Sequence, residues 1–427
     1  MNVTVVGLWH LGCVTAACCA RHFIVVGLDF DQENVAALNQ GRAPLLEPGL
    51  EDRLAEGLKA GRLRFTTDPA EACRAAEVLW LTYDTPVDDQ DVSDVPYVLI
   101  RLRRCLPHLP PGALVLISSQ LPAGTCAQLE KEFPQFHFAC SPENLRLGRA
   151  LEAFEKAERV VVGMRNEAVK PLLTELLSPF TLKILWMGTE SAEMVKHALN
   201  AFLATSVTFI NEIARICEQV GADAREVSAG LKSDVRIGPK AYLGPGGPFA
   251  GGTLARDIVS LTALGETYGE TLTLVPAIKQ SNDQHRQWTC QRLNTLLGGL
   301  TGRVIGILGL TYTPNTSTLR RSAVVELCQQ LTAAGAVVRA YDPAVKTLPA
   351  ELSAITLCSL EDAVKNAEAT VVCTEWPEFR RAPWSELTAT MQRKLIVDAN
   401  GFLTKELNDM AGVEHVWVGR PHLPKPI

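Results

Sequence analysis

At 427 residues, with 47% hydrophobic and 21% charged side chains, the chain has an ordinary globular composition and suits two or three domains. A formal net charge of −6 without a Lys/Arg block leaves no electrostatic footprint for nucleic acid or an anionic membrane, so a small molecule is the expected partner. The first residues enter an apolar strand without a basic leader, and no apolar run reaches the length of a membrane span, so a cytoplasmic protein is expected.

From Val3 onward, VTVVGL reads as a strand, followed by a glycine turn, a helix through Ala20 and a second strand, FIVVGLD. Further βα alternation runs through VLWLTYDTP, GALVLISSQLP, FHFACSP and RVVVGM. Strands that are apolar on both faces and alternate with helices predict a parallel sheet covered on both sides. This is the expected first domain, 1–187.

Residues 190–221 have no proline, no glycine before Gly221, and helical apolar spacing, which predicts one long helix that bridges domains or builds a dimer interface. The Gly/Pro-rich stretch from Asp234 to Asp257 is expected to be a functional loop. A second βαβ pattern starts at Gly302, with GRVIGILGL, a helix over about 321–335, AVVRAYDP, ATVVCTEW and KLIVDANG. The expected architecture is α/β, with two Rossmann-like domains joined by a long central helix and a helical middle domain. The divisions are 1–187, 188–299 and 300–427, and a cleft between the two halves is a natural ligand site. Twelve cysteines are scattered from Cys13 to Cys373 without a C-x-x-C spacing, so reduced, mostly buried thiols are expected and no metal centre.

The G-x-G-x-x-G position after the first strand reads Gly7-Leu8-Trp9-His10-Leu11-Gly12. Its second glycine, which lets the backbone approach a pyrophosphate, is replaced by Trp9. That tryptophan must point away or shift the phosphate. Asp29 closes the second strand about twenty residues on, where a carboxylate accepts the ribose hydroxyls and repels a 2′-phosphate. NAD is expected over NADP.

Asp29, Val35, Leu38-Asn39, Gly41, Pro44 and Glu47-Pro48-Gly49-Leu50 resemble the opening of the UDP-glucose/GDP-mannose dehydrogenase family. The likeness continues through Thr85-Pro86, SSQLPAGT (118–125), SPENLRLG (141–148), AEMVKHALNAF (192–202) and NEIARICEQVGAD (211–223). It resumes in Asp234 to Gly238, LGLTYTPNTSTLRRS (308–322), Tyr341-Asp342-Pro343 and Thr374-Glu375-Trp376.

The resemblance implies an NAD enzyme that oxidises an alcohol carbon of a nucleotide sugar twice, through an aldehyde and a cysteine thioester. It implies that Lys196 and Asn200, one turn apart on the long helix, hold the reacting oxygen. Met194, Ala198, Leu199 and Phe202 around them suggest burial. It further implies that Glu143 serves hydrolysis of the acyl intermediate and that Asp257 orders a water and the lysine. Gly7, Trp9, His10, Leu11, Gly12, Asp29, Thr85, Pro86 and Gln120 would border NAD. Asn144, Leu145, Arg236, Phe249, Gly251 and Arg320 would contact the nucleotide sugar.

The chain departs from the family's GGSCFPKD, because Gly251-Gly252-Thr253-Leu254-Ala255-Arg256-Asp257 puts Thr253 at the cysteine's place. No cysteine lies between Cys217 and Cys290. A threonine hydroxyl needs a dedicated base before it attacks an aldehyde, so the thioester route is closed. Gln120 replaces a small threonine, Leu147 an acidic residue and Thr313 a lysine. The expectation is a single or transient oxidation of a nucleotide sugar in a homodimer. The rival reading is a nucleotide-sugar binding protein that kept the fold and lost the chemistry.

Overall fold

In the computed structural model, residues 1–421 are described apart from Asp89, Asn144, Arg146, Gly251, Gly252 and Arg321. The chain divides into two compact units, Met1–Leu199 and Asn200–Ile427.

The first unit carries an eight-stranded sheet. Its strands are β1 (Asn2–Val6), β2 (Ile24–Leu28), β3 (Leu63–Thr66), β4 (Val78–Leu81), β5 (Leu114–Ile117), β6 (His137–Cys140), β7 (Val160–Met164) and β8 (Ile184–Met187). They lie in the order β3-β2-β1-β4-β5-β6-β7-β8, so the chain reverses its direction of travel between β1 and β4. That reversal is where a doubly wound sheet opens a ligand crevice beyond its strand ends. The core strands β4 and β5 are buried along their whole length, as expected of strands covered on both faces.

The expected all-parallel sheet needs one correction: β6 and β7 pair antiparallel, Ala139 with Met164 and Cys140 with Gly163. A helix of six residues, Ala150–Glu155, lies between them and the chain returns down the sheet. An apolar run such as VVVGM does not encode its direction.

The second unit holds a six-stranded parallel sheet, β9 (Val304–Leu308), β10 (Val337–Tyr341), β11 (Thr356–Leu357), β12 (Ala369–Val372), β13 (Leu395–Asp398) and β14 (Glu414–Val416). Its order, β11-β10-β9-β12-β13-β14, repeats the crossover of the first sheet.

The long helix is Thr189–Val220, 32 residues. Lys196 and Asn200 are buried, while Phe202 is 70% exposed. The expectation that Phe202 helps to bury the lysine is therefore corrected. Phe202 lies six residues beyond Lys196, which at 100° per residue places it on another face of the helix. The expected loop also ends earlier than predicted, because a helix spans Leu254–Tyr268 and Asp257 sits in its first turn. All twelve cysteines are free, nine of them buried. No helix among the described residues is long and apolar enough to cross a membrane.

Candidate active site

The first unit brings the dinucleotide residues together at the β1/β4 crossover. Gly7 adopts φ +98°, and a Cβ there would come within 2.6 Å of the Tyr83 ring. At Gly12 a Cβ would lie 1.8 Å from the Gly7 carbonyl oxygen, so the helix His10–Cys19 can pack on β1 only with glycine there. Two of the three glycine roles are thus kept. Trp9 occupies the N-cap of that helix, offers no side-chain cap, and is 39% exposed. The helix N-terminus still presents its amides and dipole to a pyrophosphate. Leu11 is half-buried in its first turn.

The Asp29 Oδ2 accepts from the Leu8 amide at 2.6 Å, and Oδ1 accepts from Phe30 at 2.7 Å and Asp31 at 3.3 Å. A carboxylate has about four lone-pair sites, so the half-buried Asp29 keeps room for a ribose hydroxyl. The corresponding residue of the second sheet, Asp342, is buried. Its Oδ2 takes Leu310 N, Thr311 N, Thr311 Oγ1 and Trp376 Nε1, and its Oδ1 takes Ala344 N. That carboxylate is consumed by its own fold, and only the first half keeps one suited to a dinucleotide.

His10 Nε2 lies 2.8 Å from Glu47 Oε2. The buried Glu47 also accepts from the Gly148 and Ala150 amides, at 2.8 and 2.9 Å. Burial opposes ionisation of Glu47, but the His10 bond and the two amides outweigh it and hold the carboxyl below the usual range. Glu47 therefore ties the glycine turn to the segment that carries Glu143. Thr85 Oγ1 donates to the Gln120 carbonyl at 2.7 Å, and Pro86 accepts from the Asp94 amide.

A small recess in this unit is lined by Ser118, Gln120, Cys140, Glu143, Glu193 and Lys196, among others. The buried Lys196 Nζ reaches the Glu143 carbonyl at 2.8 Å and its Oε1 at 3.0 Å, while Glu143 Oε2 accepts from Leu145 N at 2.7 Å. Sequence reasoning missed Glu193, whose carboxylate accepts from Gly124 N at 2.6 Å and Cys126 N at 2.9 Å. It thereby caps the helix Thr125–Glu132 that follows the SSQLPAGT turn. His197, bonded to the Leu121 carbonyl at 3.1 Å, steadies the same turn. The signal was present: Glu193, Lys196 and His197 share one helical face by their i, i+3, i+4 spacing.

In the second unit the buried Asn200 Nδ2 donates to the fully buried Asp257 Oδ2. Thr253 is exposed at the start of the helix that carries Asp257. The loop leading to it is pinned by side chains that the sequence did not single out. Asn282 clamps both backbone groups of Phe249 at 3.0 Å, and Asn211 accepts from Gly246 N at 3.0 Å. His285 binds the Gly246 carbonyl at 2.8 Å, and Asn400 accepts from Gly247 N at 2.8 Å.

Arg236 faces solvent with its guanidinium on Asp234, two residues back, and Arg320 is also exposed. Asn144 and Gly251 lie outside the described residues.

Three models of one family match the chain: its NAD binding domain over residues 1–181, its central domain over 190–284 and its UDP binding domain over 306–405. The UDP-glucose 6-dehydrogenase TuaD of Bacillus subtilis is 32% identical, over 98% of this chain and 93% of its own length. The UDP-glucose 6-dehydrogenase of Rhizobium meliloti is 32% identical over 99% of this chain and 100% of its own. Among solved structures, a UDP-glucose dehydrogenase from the archaeon Pyrobaculum islandicum superposes with a TM-score of 0.85 at 31% identity, covering 93% of each chain. The dinucleotide of the first unit is NAD, and the chain belongs to the UDP-glucose/GDP-mannose dehydrogenase family.

Proposed function

We propose that the chain removes hydride from a carbinol carbon of a nucleotide sugar, a UDP-sugar foremost, and does so without an acyl-enzyme. NAD, when bound, supplies the hydride acceptor. The observation that carries this reading is the buried Lys196 ammonium, held by Glu143 in a recess of the NAD-binding unit. Negative charge grows on the carbinol oxygen as hydride leaves, and a positioned ammonium in a water-poor recess stabilises it. Asn200, held by Asp257, positions the sugar oxygen or a water.

Thr253 is a poor nucleophile in this setting. An unactivated threonine hydroxyl needs a dedicated general base before it attacks an aldehyde, and desolvation makes the Tyr312 phenol harder to ionise than an ordinary tyrosine, so that side chain supplies none. The reaction therefore yields one hydride, or a transient oxidation that returns it. The printed names of the relatives make UDP-glucose the first substrate to try.

The experiment is NADH appearance against UDP-, GDP- and dTDP-sugars, with products identified by mass. One NADH or fewer per sugar is expected. Two NADH per sugar acid would refute the role read for Thr253, and binding without turnover across the panel would favour the rival binding protein.

We read 1–187, 188–299 and 300–427 as the domains, in keeping with the ranges of the three family models. We also read the protein as a homodimer formed along the long helix. Phe202, Phe209 and Ile216, 70%, 46% and 62% exposed, recur at heptad spacing and form an apolar stripe suited to a second helix.

A further inference from the structure

Arg104 lies in the last turn of the helix Val95–Cys105 of the first unit, where the helix dipole favours a cation. The dipole does not explain where its guanidinium rests. Its Cζ stands 3.6 Å from the centroid of the Phe30 ring. The other two arginines of that helix are committed to neighbours. Arg103 is bidentate on Glu132, at 2.8 and 2.7 Å, and Arg101 lies 3.4 Å over the Tyr97 ring and donates to the Tyr97 carbonyl at 3.1 Å. The exposed Arg104 guanidinium has no ion pair or hydrogen bond among the described residues. Phe30 is half-buried and packs against the core that contains Leu28 and Leu102, and its amide donates to Asp29 Oδ1 at 2.7 Å. Arg104 is thus the solvent-side layer of a stack whose inner layer is fixed to the Asp29 turn.

In the adenosine half of NAD the base is carried on the ribose carbon bonded to the one whose hydroxyl Asp29 is suited to accept. A flat surface that adjoins Asp29 therefore adjoins the adenine. Phe30, next in the chain, supplies that surface, and Arg104 is its accessible layer. A guanidinium is planar and weakly hydrated, so it can lie on one aromatic face and offer its other side to a second. We propose that the Arg104 guanidinium, seated on Phe30, is the platform on which the adenine of NAD stacks. The inference rests on the NAD site of the first unit and not on the reaction proposed above, so failure of either leaves the other standing.

The test compares the full-length wild type with Arg104→Ala, Arg104→Lys, Phe30→Leu and Arg103→Ala, by calorimetric titration with NADH and with ADP-ribose. Arg104→Ala and Phe30→Leu should each weaken NADH about fivefold or more, the low end of base stacking on a planar side chain. ADP-ribose, which keeps the adenosine and both phosphates but lacks the nicotinamide, should lose the same factor. Arg104→Lys keeps the charge and removes the plane, so it should bind as weakly as Arg104→Ala. Arg103→Ala, one position away and paired with Glu132, should bind both ligands as the wild type does. Wild-type affinity for NADH in Arg104→Ala overturns the inference. A loss confined to NADH would move the effect to the nicotinamide half, and full affinity in Arg104→Lys would make the contact one of charge alone. An equal loss in Arg103→Ala would assign it to the general charge of the helix, and each of these three results also overturns the stacking role.

Discussion

Lys196 and Glu143 form a chelate, the ammonium reaching both the carbonyl oxygen at 2.8 Å and the carboxylate at 3.0 Å of one residue. The charge is held in place before any sugar arrives, so its orientation need not be established during the reaction. Lys196→Ala should lower kcat at least about a hundredfold, the scale of losing one preorganised charge partner, and leave the NADH dissociation constant unchanged. Wild-type turnover in that variant would remove Lys196 from the mechanism.

Asp29 accepts three backbone amides and keeps lone-pair capacity, and Trp9 stands where the backbone should approach the pyrophosphate. NADH should therefore bind more tightly than NADPH, and Trp9→Gly should tighten NADH. Calorimetry checks both, and a preference for NADPH would sink the assignment of Asp29 to the ribose.

His285 donates from Nε2 to the Gly246 carbonyl, and its Nδ1 lies 3.2 Å from the Arg215 guanidinium. Burial first, and the Arg215 charge with it, depress its pKa from 6.5 to about 4 against the raising effect of the Gly246 bond. Between those two values the unfolded chain binds the extra proton. The stability is therefore complete above pH 6.5 and is lost as pH falls toward about 4, on the order of 3 kcal/mol in all. Urea midpoints of the wild type should drop over that window, and those of His285→Gln should drop less. Parallel curves for the two proteins would count against this account.

Phe209 lies at the centre of the heptad-spaced stripe on the long helix. Phe209→Glu should convert a dimer into monomers in sedimentation velocity, because a charge cannot be desolvated there without a partner. A wild-type monomer, or an undisturbed dimer in the variant, would place any interface elsewhere.

Strand and helix alternation, the long helix, Gly7, Gly12 and Asp29 were legible in the sequence because each rests on local periodicity or on spacing within a single βαβ unit. The two crossover orders were not legible, because alternation shows that strands are linked through helices but not which strand lies beside which. The lysine could be placed on the long helix by period alone, but its burial could not be explained by its sequence neighbours, since Phe202 turns to solvent. The antiparallel step at β7 was hidden because an apolar run reads the same in either direction. Glu193 meets Gly124 and Cys126 across 69 and 67 residues of chain, and Asn282 clamps Phe249 across 33. Helical spacing put Glu193 on the face of Lys196 and His197, but the partners in such pairs follow no period and no motif. They exist only once packing has brought distant segments within hydrogen-bond reach and removed the water that would otherwise compete, and so tertiary structure alone decided which polar side chains support the site.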